Sequence, residues 1–217
     1  MGFYDKIILP KILHFVCGLS VINGQRKKVV PFARGRVLEI GVGSGLNFPF
    51  YETKNVEKVM GLDPSHEMRD IARRAVAGTA LNIHFVSGSA ESIPLLDDSV
   101  DSILVTYTMC TIPDIDAALL EMRRVLKPAG ELIFCEHGLS KDKNVQRLQH
   151  RMDHLWGKFT GGCHINRDIP ALIENAGFQI KILEQHYISG WKPACFNFLG
   201  CAVQEALIKP DLIRASS

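Results

Sequence analysis

Glu39, Gly41, Gly43 and Gly45 stand at alternate positions in "LEIGVGSGLN", and Asp63 follows in "MGLDPS". A turn this rich in glycine lets the backbone approach a ligand that a Cβ would repel. The third glycine comes only two residues after the second and Leu46 follows it, so the spacing departs from the GxGxxG of NAD-binding turns. Glu39 suits an ammonium better than a phosphate. An acid placed like Asp63 accepts from ribose hydroxyls, and it could also cap a helix opened by Pro64; the two roles are compatible.

Such residues need a sheet to hold them. From residue 36 onward, short β-branched or apolar runs alternate with helical periodicity, the pattern of a parallel sheet covered by helices. Strands are expected at "RVLEIG", "EKVMGLD", "IHFVSG", "VDSILVTY" and "GELIFCEHG". Helices are expected at "PSHEMRDIARRAVAG", closed by Gly78, and at "DIDAALLEMRRVL", "KNVQRLQHRMDHLWGKF" and "IPALIENAG", with Gly45 opening a further one. Pro128 stops the second of these helices and Gly130 turns the chain into the next strand. "FQIKILEQHYI" and "LGCAVQEAL" have no helix between them and must pair antiparallel. The expected fold is α/β: a mostly parallel seven-stranded sheet over residues 36–217, ending in an antiparallel hairpin.

The 217 residues, 47% of them hydrophobic, are enough for one well-buried domain. A net charge of +2 argues against a surface built to grip nucleic acid. The six cysteines form no CxxC pair and no zinc-like spacing, as expected of a chain in a reducing cytosol with no metal site. Residues 1–35 read as a basic, apolar annex. A helix from Tyr4 to Leu19 could lie as a lid over the site, Ile7, Ile8, Ile12, Phe15 and Val16 inward and Lys6, Lys11 and the "RKK" at 26–28 toward water or anionic lipid. Burial against the back of the sheet is the alternative. The apolar run is broken by Pro10, Lys11 and His14, which leaves peripheral contact rather than a membrane span.

"LEIGVGSGLN", "GLDPS", "GSAESIP", "DDSVDSILVTYTMCTIPD" and "EMRRVLKPAGELIFCEHG" resemble, in order, the motifs of class I S-adenosylmethionine-dependent methyltransferases, with their Rossmann-like fold. The resemblance implies S-adenosylmethionine as cofactor. It implies Glu39, Gly41, Gly43 and Gly45 around the amino-acid part, Asp63 at the ribose, and Pro64, Ser65, Met68, Ser89, Ala90 and Glu91 around the adenine, with Asn47 and Thr106 also among the cofactor-binding residues. Ser89 stands where many relatives have Asp. "TYTMCTIPD", "FCEHG", "GGCHINRD" and "GWKP" are similar to the group that includes alkyl-thiol S-methyltransferases, a resemblance that says little of the acceptor; a small lipophilic one is expected, thiol before quinone or another.

Methyl transfer is an in-line displacement, so the enzyme chiefly places the nucleophile and excludes water. His137 is the leading general-base candidate, with Glu136 as its orienting or charge partner and Tyr107 beside them; a polar pair closing a strand is the simpler reading. Thr108, His164, Arg167 and Trp191 are expected around the acceptor. Asn166 reads as a helix cap, Cys163 as inert, Met109 and Cys110 as core, and His150 with His154 as a solvated helix face rather than metal ligands. A phospholipid N-methyltransferase at the membrane surface and a cofactor-binding, non-catalytic protein are the rival functions. The NPPY or DPPY of amino-group DNA methyltransferases is replaced by "TYTM", against a flipped base as acceptor.

Overall fold

The strands are β1 (Gly35–Ile40), β2 (Val56–Asp63), β3 (Ile83–Ser87), β4 (Val100–Thr106), β5 (Leu126–His137), β6 (Phe178–Tyr187) and β7 (Phe196–Gln204), in the order β3-β2-β1-β4-β5-β7-β6. This computed structural model describes residues 17–77 and 79–205. The first five strands run parallel; β7 lies antiparallel between β5 and β6. β1 has β2 on one side and β4 on the other, so the strand order reverses there. In open α/β sheets that reversal puts a crevice at the carboxyl ends of the strands.

Five α-helices lie among the described residues: α1 (Ser20–Val29), α2 (His66–Val76), α3 (Ile115–Val125), α4 (Lys143–Phe159) and α5 (Ile169–Asn175). Successive strand residues point to opposite faces. Leu38, Ile40, Ile103, Leu132 and Phe134 therefore pack against Leu119 and Met122 of α3 and Ile169 and Ile173 of α5. Val37, Val59, Leu104, Ile133 and Cys135 pack with Val29, Val30, Phe48, Tyr51 and Ala72 on the other face. The latter part of the basic annex thus lies against the back of the sheet, with Val30 and Ala33 fully buried. The expected lid falls mostly on residues 1–16, outside the described residues, as does Gly78. No helix among the described residues is long and apolar enough to cross a membrane.

Three expectations need correction. Gly45 opens no α-helix; two 3-10 turns, Phe48–Phe50 and Thr53–Asn55, lead into β2. Ten residues separate Gly45 from β2, whereas running back along a six-residue strand at 1.5 Å per helical residue would take roughly thirteen. β5 begins at Leu126, not Gly130, because its pairing with β4 jumps from Val100–Leu126 to Ser102–Glu131 and the irregularity accommodates Pro128, which has no N–H to donate. β7 begins at Phe196, three residues before the expected strand, where Phe196 and Phe198 pack into the core.

Side-chain caps start the helices: Ser65 for α2, Asp114 for α3, Asp142 for α4 and Asp168 for α5. Asn166, expected as a cap, instead donates to His150 Nδ1 at 3.3 Å. α4 lies past the strand ends and presents Val145, Gln149 and Asp153 inward at four-residue intervals, while His150 and His154 are exposed as expected. Gln149 is fully buried. Its Nε2 donates to the carbonyls of Gly138, Ile165 and Pro193 at 2.8–2.9 Å and its Oε1 accepts from Ser140 N–H at 3.0 Å. One side chain therefore ties the end of β5 to the loops before α5 and β7. Gln149→Leu keeps the volume and orphans these groups, so stability should fall by about 3–5 kcal/mol in urea unfolding; a loss under about 1 kcal/mol would show that water replaces the amide.

Candidate functional site

Gly41 (φ +67°) and Gly45 (φ +82°) hold the turn after β1 in the left-handed region. A Cβ on Gly41 would lie 2.4 Å from the Thr108 side chain, and one on Gly45 2.4 Å from the Phe48 ring. Gly43 differs: a Cβ there would find only Met68 Cε at 3.6 Å and Gly41 O at 3.7 Å, so this side of the turn is open to a ligand. Gly43 N–H donates to Asp63 Oδ2 at 2.9 Å and Ser65 N–H to Asp63 Oδ1 at 2.8 Å. Arg69 donates to the Asp63 carbonyl. Burial pushes the Asp63 carboxyl up, against the pull of the Ser65 and Gly43 amides and Arg69. Each carboxylate oxygen keeps a lone pair for a ribose hydroxyl. Since Ser65 caps α2, accepting from Met68 N–H at 3.2 Å, Asp63 is free of that duty. After β3, Ser89 bridges to Ser92, Ala90 is buried with Leu62, and Glu91 accepts from Asp114 N–H at 3.4 Å.

Beneath the turn lies a dry polar chain. Tyr51 OH donates to Glu39 Oε2 at 2.7 Å, and Asn47 Nδ2 to Glu39 Oε1 and Thr106 Oγ1, each at 2.9 Å. From α1, Arg26 Nη1 donates to Thr106 Oγ1 at 2.8 Å and Asn47 Oδ1 at 3.3 Å. Its guanidinium lies 5.1 Å from the centre of the Tyr107 ring. Arg26 was expected to face water with Lys27 and Lys28; only the two lysines do, because Arg26 falls on the helix face of Val29 and Val30. Burial pushes the Glu39 carboxyl up to about 7 despite Tyr51, Asn47 and Arg26.

Where β4 ends, Tyr107 takes φ +52°, a conformation bulky residues rarely adopt. Its hydroxyl donates to Asn197 Oδ1 at 2.6 Å, and its ring stacks on His137 at 6.5 Å. Glu136 does not orient His137. The two are consecutive in β5 and point to opposite faces, so Glu136 Oε1 instead accepts from Thr108 N–H at 2.7 Å and Met109 N–H at 3.1 Å. Burial pushes the Glu136 carboxyl to about 7 against those amides, and His137 feels it only as charge. His137 Nε2 lies 3.3 Å from Cys163 Sγ. Hydrogen bonding from Cys110, outweighing burial, and the neighbouring His137 hold the Cys163 thiol well below its usual range, while Cys110 is raised.

Arg167, expected at the acceptor, donates to the carbonyls of Met109 and Ile112, the latter at 2.7 Å. Both of its terminal nitrogens hold the loop after β4. His164 Nδ1 lies 2.7 Å from Asp153 Oδ2, and the other Asp153 oxygen accepts from Ile165 N–H at 2.9 Å. Trp191 is half exposed and stacks on Trp156 at 5.2 Å. Trp156 packs on the small cluster of Cys110, Cys163 and Ile165.

Residues 38–134 match the family described as "Methyltransferase domain". Thiol S-methyltransferase TMT1B is 32% identical in Rattus norvegicus, over 75% of this chain and 65% of the relative, and 31% identical in Homo sapiens, over 79% and 72%. The chain is a class I S-adenosylmethionine-dependent methyltransferase. The YcgJ protein of Bacillus subtilis, 20% identical, superposes with a TM-score of 0.68 over 86% of this chain and 99% of its own, which shows the shared fold. The cofactor of this methyltransferase is S-adenosylmethionine, and the open side of Gly43 next to Asp63 fits it.

Arg26, Tyr51, Asn197 and Trp156 of the methyltransferase went unseen in the sequence reading. Only Arg26 left a signal, as a cation on an otherwise apolar helix stripe. The Glu39 shift has a consequence for folding. Its carboxyl titrates near 7 folded and near 4.5 unfolded, so the stability it contributes is full below about 4.5, falls as pH rises, and is lost above about 7. The stability of Glu39→Gln relative to the parent should therefore rise by about 2.5 kcal/mol between pH 5 and pH 8, read from urea midpoints at each pH. A difference that does not change with pH would show that Glu39 stays ionised.

Proposed function

We propose that the chain transfers the methyl group of S-adenosylmethionine to a small lipophilic thiol. Thiol methylation by the relatives named above supports this, and one observation carries it: the groups gathered beside the end of β5 are aromatic and sulfur-bearing, with Tyr107 stacked on His137, Cys163 Sγ 3.3 Å from His137 Nε2, and Trp156 packed on Cys110 and Cys163. Glu136 spends one oxygen on the loop backbone, and Asp153 is taken by His164 and Ile165.

The cofactor supplies a methyl group on a sulfonium. Asp63 holds the ribose with its remaining lone pairs, and Gly43 leaves room for the backbone to approach. Glu39 and Arg26 flank the amino-acid part with opposite charges, the acid for its ammonium and the guanidinium for its carboxylate. Thr108 packs on Gly41 and so fixes the distance between the turn and the acceptor wall. Tyr107, held by Asn197, and His137 line the path of the nucleophile. Trp156 and Trp191 exclude water from it.

Asp63→Ala should weaken S-adenosylhomocysteine binding about ten- to a hundredfold by calorimetric titration, the loss of charge-assisted hydrogen bonds worth roughly 1.5–3 kcal/mol; affinity within twofold of the parent would leave Asp63 only a brace for the turn. With methyl-labelled cofactor, an alkyl thiol should be methylated and phosphatidylethanolamine vesicles should not. Labelled lipid in place of labelled thioether would overturn the thiol reading in favour of N-methylation at a membrane.

A further inference from the structure

Three segments bring soft donor atoms to one point: Cys110 in the loop after β4, His137 at the end of β5, and Cys163 between α4 and α5. One ligand atom from each lies within 4.8 Å of the other two, and Cys163 Sγ is 3.3 Å from His137 Nε2. Zinc binds sulfur at about 2.3 Å and imidazole nitrogen at about 2.0 Å, so a tetrahedral ion needs a sulfur–nitrogen separation of roughly 3.5 Å. The Cys163–His137 pair is within a few tenths of an ångström of that, and Cys110 lies within 4.8 Å of both.

The surroundings fix the donors. Glu136 accepts from the backbone of Thr108 and Met109, just ahead of Cys110, and Arg167 donates to the Met109 and Ile112 carbonyls on either side of it. His164 N–H donates to Cys110 O at 2.8 Å, which ties the Cys163 segment to the Cys110 loop. The Tyr107 ring lies against His137 and sets its plane. A carboxylate, a guanidinium and a strained tyrosine are a large investment in holding two thiols and an imidazole together.

We infer that Cys110, His137 and Cys163 bind one Zn²⁺, and that its fourth position takes the sulfur of the acceptor thiol. Two thiolates and one imidazole are the donor set that suits zinc, and three protein ligands with one open position are the pattern of a catalytic ion. The inference rests on the thiol reading above and says how the acceptor becomes a nucleophile. On binding the ion, the acceptor loses its S–H proton to solvent. A lone pair of the held sulfur then forms the bond to the methyl carbon. The bond from that carbon to the sulfonium breaks, and its electron pair stays on the departing sulfur. The thioether formed is neutral and a poorer ligand, and it leaves.

The full chain, purified reduced and without chelator, should carry about one zinc per chain by atomic emission, against less than about a tenth in Cys163→Ser or Cys110→Ser. Because a buried Cys→Ser change can loosen the fold, the parent chain loaded with Co²⁺ gives a second measurement. Its near-ultraviolet thiolate-to-cobalt absorption should exceed that of either variant and grow when an alkyl thiol is added at constant S-adenosylhomocysteine. No zinc and no such band overturn the site, as does loss of both thiols to a Cys110–Cys163 disulfide under the same reducing conditions. A band indifferent to the added thiol overturns the acceptor as fourth ligand. A metal-free chain that methylates the thiol at full rate overturns the metal and leaves the thiol reading intact. The reverse, a cobalt–thiolate band with no thiol methylated, overturns the thiol reading and leaves the ion in place.

Discussion

Asn47 stands between two buried charges of opposite sign. Its amide nitrogen serves Glu39 and Thr106 while its oxygen receives Arg26, so neither ion is left without a partner in a place water does not reach. A buried carboxylate or guanidinium without hydrogen bonds would cost several kcal/mol. The same contacts join β1, β4, the turn at 47–51 and α1 into one unit. α1, though it precedes the first strand, packs on the sheet: it contributes apolar burial through Val29 and the cation Arg26, which reaches Asn47 and Thr106.

β5 feeds both sides of the sheet at its end. Glu136 goes to the face of α3 and α5 and fixes the loop after β4 by its backbone; His137 goes to the other and meets Tyr107 and Cys163. Gln149 then closes the same corner from α4. Register in β5 is therefore under double constraint, since a slip of one residue would exchange the acid and the imidazole between faces. The antiparallel pairing with β7, where His137 stands opposite Asn197, holds that register. Asn197 in turn receives the Tyr107 hydroxyl.

The sequence displays the parallel strands and the hairpin plainly, because their apolar runs and the glycines between them are local signals. The turn around Gly41, Gly43 and Gly45 and the acid at Asp63 are local too. The pairing of Gly43 with Asp63 brings them together across twenty residues. Other features arise only on folding. Cys110, His137 and Cys163 are 27 and 26 residues apart, a spacing no motif describes. Gln149 and Asp153 sit in a helix polar on almost every side, where periodicity does not say which polar residues turn inward. Arg167, by its charge, looks like a ligand group until its two backbone carbonyls are seen. Glu136 and His137 look like a pair because they are neighbours, and the pleat of the strand separates them.

Both tryptophans of the chain, Trp156 and Trp191, are stacked in the same corner. Their emission carries no background from elsewhere in the molecule. A ring pair 5.2 Å apart is also close enough for its excited states to couple, which gives a circular-dichroism signature that depends on the angle between the rings. The protein thus has a built-in optical gauge for that corner, one that responds to a change of packing around Cys163 without any attached label.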